Sequence, residues 1–383
     1  MPTTRLKRIE TKRKYLAIIL LSLLLILIVG FYFLIIRLAR FYNKIHTQPQ
    51  TVVQEKPKTT YNVIFLGYGG GQHQGAFLTD TMMVAHVDFE KKKAVLISLP
   101  RDIWVKIPTK ESPFYSKINA VYQMGLFPEN YPDLDTNYLS SNDNPSGIVK
   151  KVVGDVTGLK IDYFLAVDFQ GFVNAIDILR GIDINVENSF VDKEYPIEGK
   201  EDDLCGKNEE DLPELEKIAT ESAVLAFPCR YETVTFSKGE THMDGQTALK
   251  FARSRHSSEE GGDFKRAQRQ QQVLEAIKNK VLSINFIPKI VPFLDDLDDH
   301  IITDVKADKF LLESPNANQY NVTTYVIKDE LLSYDRSDDG QFIVIPRIGI
   351  NKWKEVNSTI DNIIKGVTPT PSGRPASKPT IKL

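Results

Sequence analysis

The segment that decides the fold runs from residue 253 to residue 281 and reads RSRHSSEEGGDFKRAQRQQQVLEAIKNKV. On a helix that turns about 100° per residue, seven of its residues share one stripe about 100° wide. They are Asp263, Arg266, Gln270, Val273, Leu274, Ile277 and Val281. The later residues form an ordinary core-facing surface, whereas the earlier ones turn a carboxylate, a guanidinium and an amide inward. The pattern therefore predicts a helix over residues 263–282 whose first turns line a polar site.

Arginine is concentrated at the amino-terminal end of this predicted helix. Arg253 and Arg255 precede it and Arg266 lies on its inward stripe, whereas Arg269 is predicted to be a solvated surface charge. Burying an unpaired guanidinium costs free energy, so an inward arginine indicates an anion partner. Guanidinium groups that converge beside a helix amino terminus are typical of a pyrophosphate site. Two plainer interpretations stay open: Asp263 caps the helix and pairs with Arg266, or the arginines form a basic surface.

Elsewhere, short runs rich in β-branched and aromatic residues alternate with helical stretches. The predicted strands are 62–66, 81–87, 94–99, 164–167, 182–186 and 342–345, and the other predicted helices are 147–157, 170–179 and 245–252. This alternation is typical of an α/β sheet covered by helices. The chain has 383 residues, 42% of them hydrophobic, and a net charge of −2. Those values exclude a wholly disordered or collagen-like protein and argue against a general nucleic-acid binder.

A second polar cluster, SLPRDIW at residues 98–104, follows the predicted strand 94–99. Pro100 ends that strand and places Arg101 and Asp102 at its carboxyl end. Because ligands of open α/β sheets bind outside the carboxyl ends of strands, both side chains are candidates for the site. A salt bridge that only closes the strand end is the alternative interpretation.

A glycine-rich loop lies in FLGYGGGQHQGAFLTDTMM, residues 65–83, directly after another predicted strand. The glycines at 69–71 permit close approach of the backbone to a ligand. The loop is neither a Walker motif nor a dinucleotide fingerprint. Asp80 is a candidate ligand for Mg²⁺, which prefers carboxylate oxygens, whereas His73 is more simply a solvated loop residue.

The amino-terminal region carries an uncharged, largely apolar run at residues 16–36, which is long enough to span a membrane as a helix. The first 14 residues hold six basic side chains and one acid, so we expect the amino terminus in the cytoplasm and the body outside. A buried core helix and a cleaved signal peptide are the alternatives. The run ends at Arg37 rather than at small residues, which favours a retained anchor.

Cys205 and Cys229 are the two cysteines of the chain, and both follow the predicted anchor. An extracytoplasmic domain permits disulfides, so we expect a bridge between them, with two free thiols as the alternative. Cys205 lies in an acidic stretch, residues 201–217, that is expected to form a surface insert. The sequence has no serine-hydrolase elbow, no HExxH motif and no Cys–His pairing for a thiol enzyme.

The predicted layout along the chain has five segments. They are a cytoplasmic basic tail at 1–15, a transmembrane anchor at 16–36, a stalk at 37–60, an extracytoplasmic domain at 61–365 with its core at 61–290, and a disordered tail rich in Pro, Ser and Thr at 366–383.

Five motifs occur in the order TDTMMVAHVD, ISLPRD, SKINAVY, FSKGETHMDGQTALKFARSRH and GGDFKRAQRQQ. Over roughly residues 60–290, with a possible extent to about residue 350, this ordered set resembles the LytR–CpsA–Psr family of membrane-anchored cell-wall glycopolymer ligases. The resemblance implies a mixed central β-sheet flanked by helices on both faces, with an apolar pocket for a polyprenyl chain. It also implies transfer of a glycopolymer from a polyprenyl-pyrophosphate carrier to a peptidoglycan hydroxyl, aided by Mg²⁺.

The resemblance also implies roles for single residues. Asp80 falls in the metal-binding motif, and Arg101, Arg253, Arg255 and Asp263 fall at catalytic positions around the pyrophosphate. The substrate-binding positions are Arg266, Gln270, Asp102, Lys117 and Asn119. Asp102 and Asp263 are both candidates to receive the proton of the acceptor hydroxyl.

The sequence departs from the family pattern in the glycine-rich loop. Many members have Gly-x-Asp after the first strand, where this chain reads Gly67, Tyr68 and Gly69, and the Arg of their Arg-Ser-Asp-Thr motif is Leu78 here. One metal carboxylate and one arginine are therefore missing from their expected places, and Asp263 or water molecules are candidates to complete the metal shell. Two rival functions stay open: a polyprenyl-pyrophosphate hydrolase, and a non-catalytic scaffold or regulator that binds lipid or wall polymer.

Overall fold

A computed structural model of the chain describes residues 34–40, 42–44, 58–71, 75–139, 145–281, 297, 299–305, 319–327 and 330–367. Within those ranges, no helix is both long and apolar enough to cross a membrane. Parts of three predicted segments lie outside the described residues: 16–33 of the anchor, 45–57 of the stalk and 368–383 of the tail. His73 lies outside them as well. Those expectations stay predictions.

In the described part of the chain, runs of strands are separated by helices. The strands are β1 Thr60–Tyr68, β2 Thr79–Asp88, β3 Lys93–Ser98, β4 Trp104–Ile107, β5 Phe114–Lys117, β6 Tyr163–Asp168, β7 Ile182–Val186, β8 Phe190–Pro196, β9 Tyr231–Phe236, β10 Gly239–Met243, β11 Ile301–Thr303, β12 Asn321–Val326, β13 Leu332–Arg336 and β14 Phe342–Pro346. The helices are α1 Val121–Leu126, α2 Ser146–Thr157, α3 Phe169–Ile178, α4 Leu212–Glu221, α5 Ala223–Ala226, α6 Gly245–Arg253, α7 Gly262–Val281 and α8 Lys354–Lys365.

Six strands form a central mixed sheet in the order β11-β6-β1-β2-β3-β12. The pairs β1–β6 and β3–β12 are parallel, whereas β1–β2, β2–β3 and β6–β11 are antiparallel. Consequently β6, β1, β3 and β12 all end at the same edge of the sheet, where β2 begins. We call this the carboxyl edge, and it is where ligands of open α/β sheets bind.

Helices flank the sheet because successive strand residues alternate between its two faces. On one face, Ile64 and Ile97 pack in a common core with residues of α2 and α8, such as Val153 and Val356. Ser98 faces the other way, and its Oγ accepts a hydrogen bond of 3.1 Å from Nε2 of Gln271 on α7. The predicted mixed sheet flanked by helices is confirmed, and β12 and α8 carry the sheet and its core beyond residue 290.

A second, smaller core lies beside the sheet. It joins β7, β8, β9, α6 and α7 through buried side chains that include Phe190, Phe236, Phe251 and Val273. The rings of Phe190 and Phe236 are 5.0 Å apart, and those of Phe236 and Phe251 are 5.2 Å apart. This cluster fixes α6 and α7, the two helices that carry the arginine-rich motif, against the ladder β8–β9.

The acidic stretch belongs to an insert between β8 and β9, residues 197–230. Cys205 and Cys229 form a disulfide within it, as expected from the sequence. The N–H of Ile197 donates to the carbonyl of Arg230 at 2.8 Å, which closes the base of the insert. Both cysteine sulfurs are used by the bridge, so the neighbouring Asp203 does not complete a thiolate metal site with them.

Replacing both cysteines by serine is expected to lower the free energy of unfolding by about 3 kcal/mol, since the bridge closes a loop of 24 residues. Urea unfolding of the double variant and of the wild type, each under oxidising conditions, measures the difference. Wild type treated with reductant is the matched control and should unfold like the variant. Equal midpoints for oxidised wild type and the double variant would contradict the expectation.

Candidate functional site

Two cavities open along the carboxyl edge, and Asp80 at the start of β2 lines both. The larger, about 760 Å³, extends over the ends of β3 and β12, and we call it the apolar cleft. The smaller, about 220 Å³, extends over the ends of β1 and β6, and we call it the side cavity. Because the strand order is β6-β1-β2-β3-β12, Asp80 lies between the two cavities.

The apolar cleft has a hydrocarbon-like wall and a charged end. Leu99 and the strands β12, β13 and β14 form the wall, which includes Val326, Leu332 and Val344. At its rim the rings of Tyr334 and Phe342 stack 5.5 Å apart, and both side chains are about half exposed. A cleft of this size and lining suits a long apolar chain. Apart from Leu99 in the ISLPRD motif, the residues of this wall lie beyond the sequence motifs in the chain.

Asp80 is the carboxylate at the charged end of the cleft, and Arg101 donates to its Oδ1 from Nη1. Burial alone would raise the pKa of Asp80. The guanidinium groups of Arg101, Arg266 and Arg253 outweigh that effect and hold the pKa below its usual value. Three of the four predicted arginines therefore act on one carboxylate, although they come from distant stretches of chain.

Asp102 and Lys117 form a second ion pair beside the first. Nζ of Lys117 lies 2.8 Å from Oδ1 of Asp102, and Nε of Arg101 lies 3.6 Å from its Oδ2. Asn119 is buried next to them, and its backbone N–H donates to the carbonyl of Arg101 at 3.3 Å. Asp102 lines the apolar cleft, whereas Asn119 lines the side cavity.

Arg253, at the end of α6, lines the side cavity. Its Cζ lies 4.2 Å from the centre of the Phe169 ring, and its Nη1 donates to the hydroxyl of Tyr195 at 3.4 Å. Stacking on an aromatic face stabilises a guanidinium while leaving its edge open to hydrogen bonding. The arrangement orients the side chain toward the region of Asp80.

A buried carboxylate that the sequence analysis missed holds the turn after Arg253. Oδ2 of Asp192 accepts hydrogen bonds from the hydroxyl of Ser254 at 2.6 Å and from the N–H groups of Arg255 and His256 at 2.9 and 3.1 Å. Asp192 is 1% exposed. Burial would raise its pKa, but these hydrogen bonds outweigh burial and lower it. No local motif marks Asp192, which is 62 residues from Ser254 in sequence.

The other side of the same turn is held by Arg269, and the prediction that Arg269 is a solvated surface charge is wrong. Its side chain is 5% exposed and donates to the carbonyls of Phe251 at 2.9 Å, Glu260 at 2.8 Å and Ser254. Burial lowers the pKa of Arg269 to about 10, so it stays protonated at neutral pH. The loop before α7 folds back over this side of the helix, which a helical wheel of α7 alone does not show.

Glycine permits that fold-back at one position. A Cβ on Gly261 would lie 2.1 Å from the carbonyl oxygen of Ser257, which is too close for any side chain. The N–H of Gly262 then donates to the carbonyl of Arg255 at 2.8 Å and closes the loop. Helix α7 begins at Gly262, one residue from the predicted start.

The inward stripe of α7 reaches the apolar cleft at its first two turns. Arg266 is 6% exposed and lines the cleft, as does Gln270, whose Nε2 donates to the carbonyl of Ala252 at 3.4 Å. Val273 continues the stripe into the second core. Asp263 lies in the first turn, where a carboxylate interacts favourably with the helix dipole, and its side chain lies outside the described part of the structure.

Arg255 lines the apolar cleft through a side chain that His256 holds. Nε of Arg255 donates to Nε2 of His256 at 2.9 Å, and Nδ1 of His256 lies 3.0 Å from Oε2 of Glu194. The contact with Arg255 requires an unprotonated Nε2, so the neutral ring carries its proton on Nδ1 and donates it to Glu194. His256 was not singled out from the sequence.

Taken together, the structure gathers the predicted residues around Asp80. Those whose side chains are described and line a cavity are Asp80, Arg101, Asp102, Asn119, Arg253, Arg255, Arg266 and Gln270. Lys117 joins them through its ion pair with Asp102. A cluster of guanidinium groups at the end of an apolar cleft is suited to a ligand with a strongly anionic head and a long hydrocarbon tail.

Sequence comparison relates the chain to bacterial cell-wall proteins. A model of the LytR_cpsA_psr family matches residues 31–344. TagV of Bacillus subtilis, a polyisoprenyl-teichoic acid–peptidoglycan teichoic acid transferase, is 25% identical over 66% of this chain and 52% of its own length. TagU of Oceanobacillus iheyensis, which carries the same description, is 26% identical over 71% of this chain and 68% of its own length. The chain thus spans about half the length of the TagV relative that it matches.

The fold is also similar to solved structures. The crystal structure of Bacillus subtilis TagV superposes with a TM-score of 0.53 at 22% identity and covers 82% of this chain and all of that one. A Streptococcus agalactiae protein, gbs0355, superposes with a TM-score of 0.53 at 18% identity and covers 79% of this chain and 88% of its own. At these identities the likeness concerns the fold.

Proposed function

The chain belongs to the LytR_cpsA_psr family, and from this premise we propose that it transfers a glycopolymer from a polyprenyl-pyrophosphate carrier to peptidoglycan. The observation that supports the proposal most directly is the joining of an apolar cleft to a cluster of arginines at Asp80. A polyprenyl pyrophosphate has the matching halves, a hydrocarbon chain and a doubly charged head. Two relatives are transferases that act on a polyisoprenyl-linked polymer and peptidoglycan, which fits the same chemistry.

The reaction that we propose is a displacement at phosphorus. The oxygen of an acceptor hydroxyl bonds to the sugar-proximal phosphorus, and the bond from that phosphorus to the bridging oxygen breaks. Polyprenyl phosphate leaves with the electron pair, and the hydroxyl proton passes to a carboxylate of the site. Such transfers depend mainly on positioning and charge neutralisation. Arg101, Arg253, Arg255 and Arg266 are the groups that would neutralise the charge, and Asp102 and Asp263 stay candidates for the proton.

We also propose Asp80 as the residue that holds Mg²⁺. Among the described residues, no set of three His, Cys or acidic side chains gathers around Asp80. Gly69, at the place of the family's missing carboxylate, lines the side cavity with Asp80 and contributes no ligand side chain. Mg²⁺ commonly uses one or two protein carboxylates with substrate phosphates and water, so a single carboxylate fits. The bound ion would add to the neutralisation of the pyrophosphate.

The proposed location is the outer face of the cell membrane, with residues 16–36 as a single anchor and the amino terminus in the cytoplasm. Support for this comes from the uncharged run and the basic tail before it. A disulfide in the domain fits an oxidising compartment. The proposed partners are the lipid-linked glycan, the peptidoglycan acceptor and the membrane, without nucleic acid.

The decisive experiment uses the full chain in lipid vesicles with a polyprenyl-pyrophosphate-linked oligosaccharide, isolated peptidoglycan and Mg²⁺. Glycan attached to the wall material, together with released polyprenyl phosphate, is the expected result. Free glycan phosphate without wall attachment would instead support the hydrolase. Donor binding with no turnover would support a scaffold or regulator, and either outcome would overturn the transferase.

The contact between His256 and Arg255 predicts a pH dependence of transfer. The pKa of His256 lies below its usual value. Burial lowers it most, and the positive charges of Arg255 and Arg101 lower it further. The carboxylates of Glu194 and Asp192 raise it, but they do not outweigh these effects. The ring is therefore neutral at pH 7. As pH falls below about 6.5, protonation removes the acceptor at Nε2 and repels Arg255, so kcat should decline. The His256→Gln variant should lack this decline, and an unchanged profile in the variant would contradict the assignment.

A further inference from the structure

We propose that the side cavity is the binding site of the acceptor sugar, with Glu198 and Glu201 as the residues that hold its hydroxyl groups. The inference rests on the proposed function and adds where the second substrate binds. Its ligand is a single pyranose unit of the acceptor glycan, bearing the hydroxyl that attacks phosphorus.

The position of the cavity matches the geometry of the reaction. In a phosphoryl transfer the attacking and leaving oxygens lie roughly in line, on opposite sides of the phosphorus. The leaving group is polyprenyl phosphate, whose chain fits the apolar cleft over β3 and β12. The side cavity lies over β1 and β6, on the other side of Asp80 along the same sheet edge. A hydroxyl held there would approach the phosphorus from the side opposite the lipid.

The lining of the side cavity offers groups that can hold the hydroxyls of a sugar. It combines the carboxylates of Glu198 and Glu201 with the guanidinium of Arg253, the buried Asn119 and the ring of Phe169. Carboxylates accept hydrogen bonds from hydroxyl groups, and the amide and guanidinium donate to them. At about 220 Å³ the cavity is smaller than typical drug-sized pockets of roughly 300–1,000 Å³, so it fits one ring rather than a polymer.

The insert presents the two glutamates on a braced support. Glu198 and Glu201 follow β8, whose last residue, Pro196, pairs with Tyr231 on β9. The N–H of Gly199 donates to Oε1 of Glu201 at 3.1 Å, which orients that carboxylate. Four residues further on, the disulfide from Cys205 ties the insert back to the start of β9. The Glu201 carboxylate, oriented in this way, loses less conformational entropy on binding, which favours a specificity role.

Glu198 also lies within electrostatic reach of the arginine end of the site. Burial raises the pKa of Tyr195, Arg253 lowers it, and Glu232 and Glu198 raise it further. Because Tyr195 accepts the hydrogen bond of Arg253, the Glu198 carboxylate and the Arg253 guanidinium act on the same phenol. Phe169, which packs against the Arg253 guanidinium, also lines the cavity, so a sugar bound there would contact a group that positions Arg253.

The test uses the full-length protein in detergent and follows the two substrates separately. Donor binding is measured as a Kd, and acceptor binding through the dependence of transfer on acceptor concentration. The donor probe is a synthetic polyprenyl-pyrophosphate-linked disaccharide, and the acceptor probe is soluble peptidoglycan glycan strands. In the Glu198→Ala, Glu201→Ala double variant, the acceptor concentration for half-maximal transfer should rise roughly tenfold or more, with an unchanged donor Kd. Leu78→Trp, which fills the same cavity without changing charge, should act alike. The control is Glu209→Ala with Glu210→Ala, two exposed carboxylates of the same insert that lie outside the cavity.

Two results would overturn the assignment. A weaker donor Kd with unchanged acceptor dependence would show that the cavity holds the sugars of the donor, and unchanged values for both substrates would show that it holds neither. Failure of the proposed function looks different, since wild type would then bind the donor and transfer nothing before any variant is made.

Discussion

Replacing Asp192 by asparagine is expected to reduce transfer on the order of a hundredfold and to lower the free energy of unfolding by about 2–4 kcal/mol. One carboxylate oxygen of Asp192 accepts from the Ser254 hydroxyl and from two backbone N–H groups. The amide of asparagine has no negative charge. It can present its oxygen, which is a weaker acceptor than a carboxylate, or its NH₂ group, which cannot accept a hydrogen bond from the three donors. The turn that carries Arg255 and follows Arg253 would then lose its shape.

The stability part of this prediction has a signature in pH. The pKa of Asp192 is lowered in the folded state, so its contribution is fully present above the unfolded value of about 4 and is lost as pH falls through the folded value. Urea unfolding of wild type should show this loss, and Asp192→Asn should show less of it. Asp361→Asn is the matched control, since Asp361 pairs with Lys365 on the exposed surface of α8. Wild-type turnover in Asp192→Asn would contradict the role given to the turn.

Some of the regular elements could be predicted from local sequence, because these carry their own periodicity. The six strands and four helices predicted from the sequence lie within two residues of observed elements. Strands β4, β5 and β8 to β13 were not predicted. β8 (FVDKEYP) and β13 (LSYDR) mix charged with apolar residues, so neither shows the alternation of a strand. They form strands because they pair with β9 and β14, respectively.

The site was predictable where arginines and acids occur in ordered motifs, and it was not where distant segments meet. The inward stripe of α7 correctly placed Arg266 and Gln270 at a cavity. The same helical projection predicted Arg269 in solvent, because it assumes that the rest of the protein packs against only one side of α7. The loop at 254–261 covers the other side and offers Arg269 its carbonyls. Asp192 and the wall of the apolar cleft depend in the same way on contacts between segments far apart in the chain.

The polar residues of the site thus form two groups with different roles: one holds the turn after α6, and the other surrounds Asp80. Asp192 accepts hydrogen bonds from backbone N–H groups of the turn, and Arg269 donates to backbone carbonyls on its other side. Both charged groups are therefore hydrogen-bonded within the protein. Around Asp80, by contrast, several guanidinium groups act on a single carboxylate. With a pyrophosphate bound as proposed, these guanidinium groups would neutralise its negative charge.

Arg266→Met tests this division, and its expected effect on transfer is a loss of a hundredfold or more. Arg266 is 6% exposed, lines the apolar cleft and is one of three arginines that lower the pKa of Asp80. Methionine keeps most of the apolar stem, so the cleft stays filled while the charge is lost. The pKa of Asp80 should rise, because burial is then opposed by fewer cations.

Stability should fall less than in Asp192→Asn. Arg101 still donates to Asp80 in this variant, so that carboxylate keeps its partner and the free energy of unfolding should fall by about 1 kcal/mol. Lys265→Met, one residue away and paired with Glu260 at the surface, is the control and should keep its transfer rate. Rates come from the vesicle assay and stability from urea unfolding. A strongly destabilised Arg266→Met with a normal rate per folded molecule would mean that Arg266 stabilises the fold and does not bind the ligand.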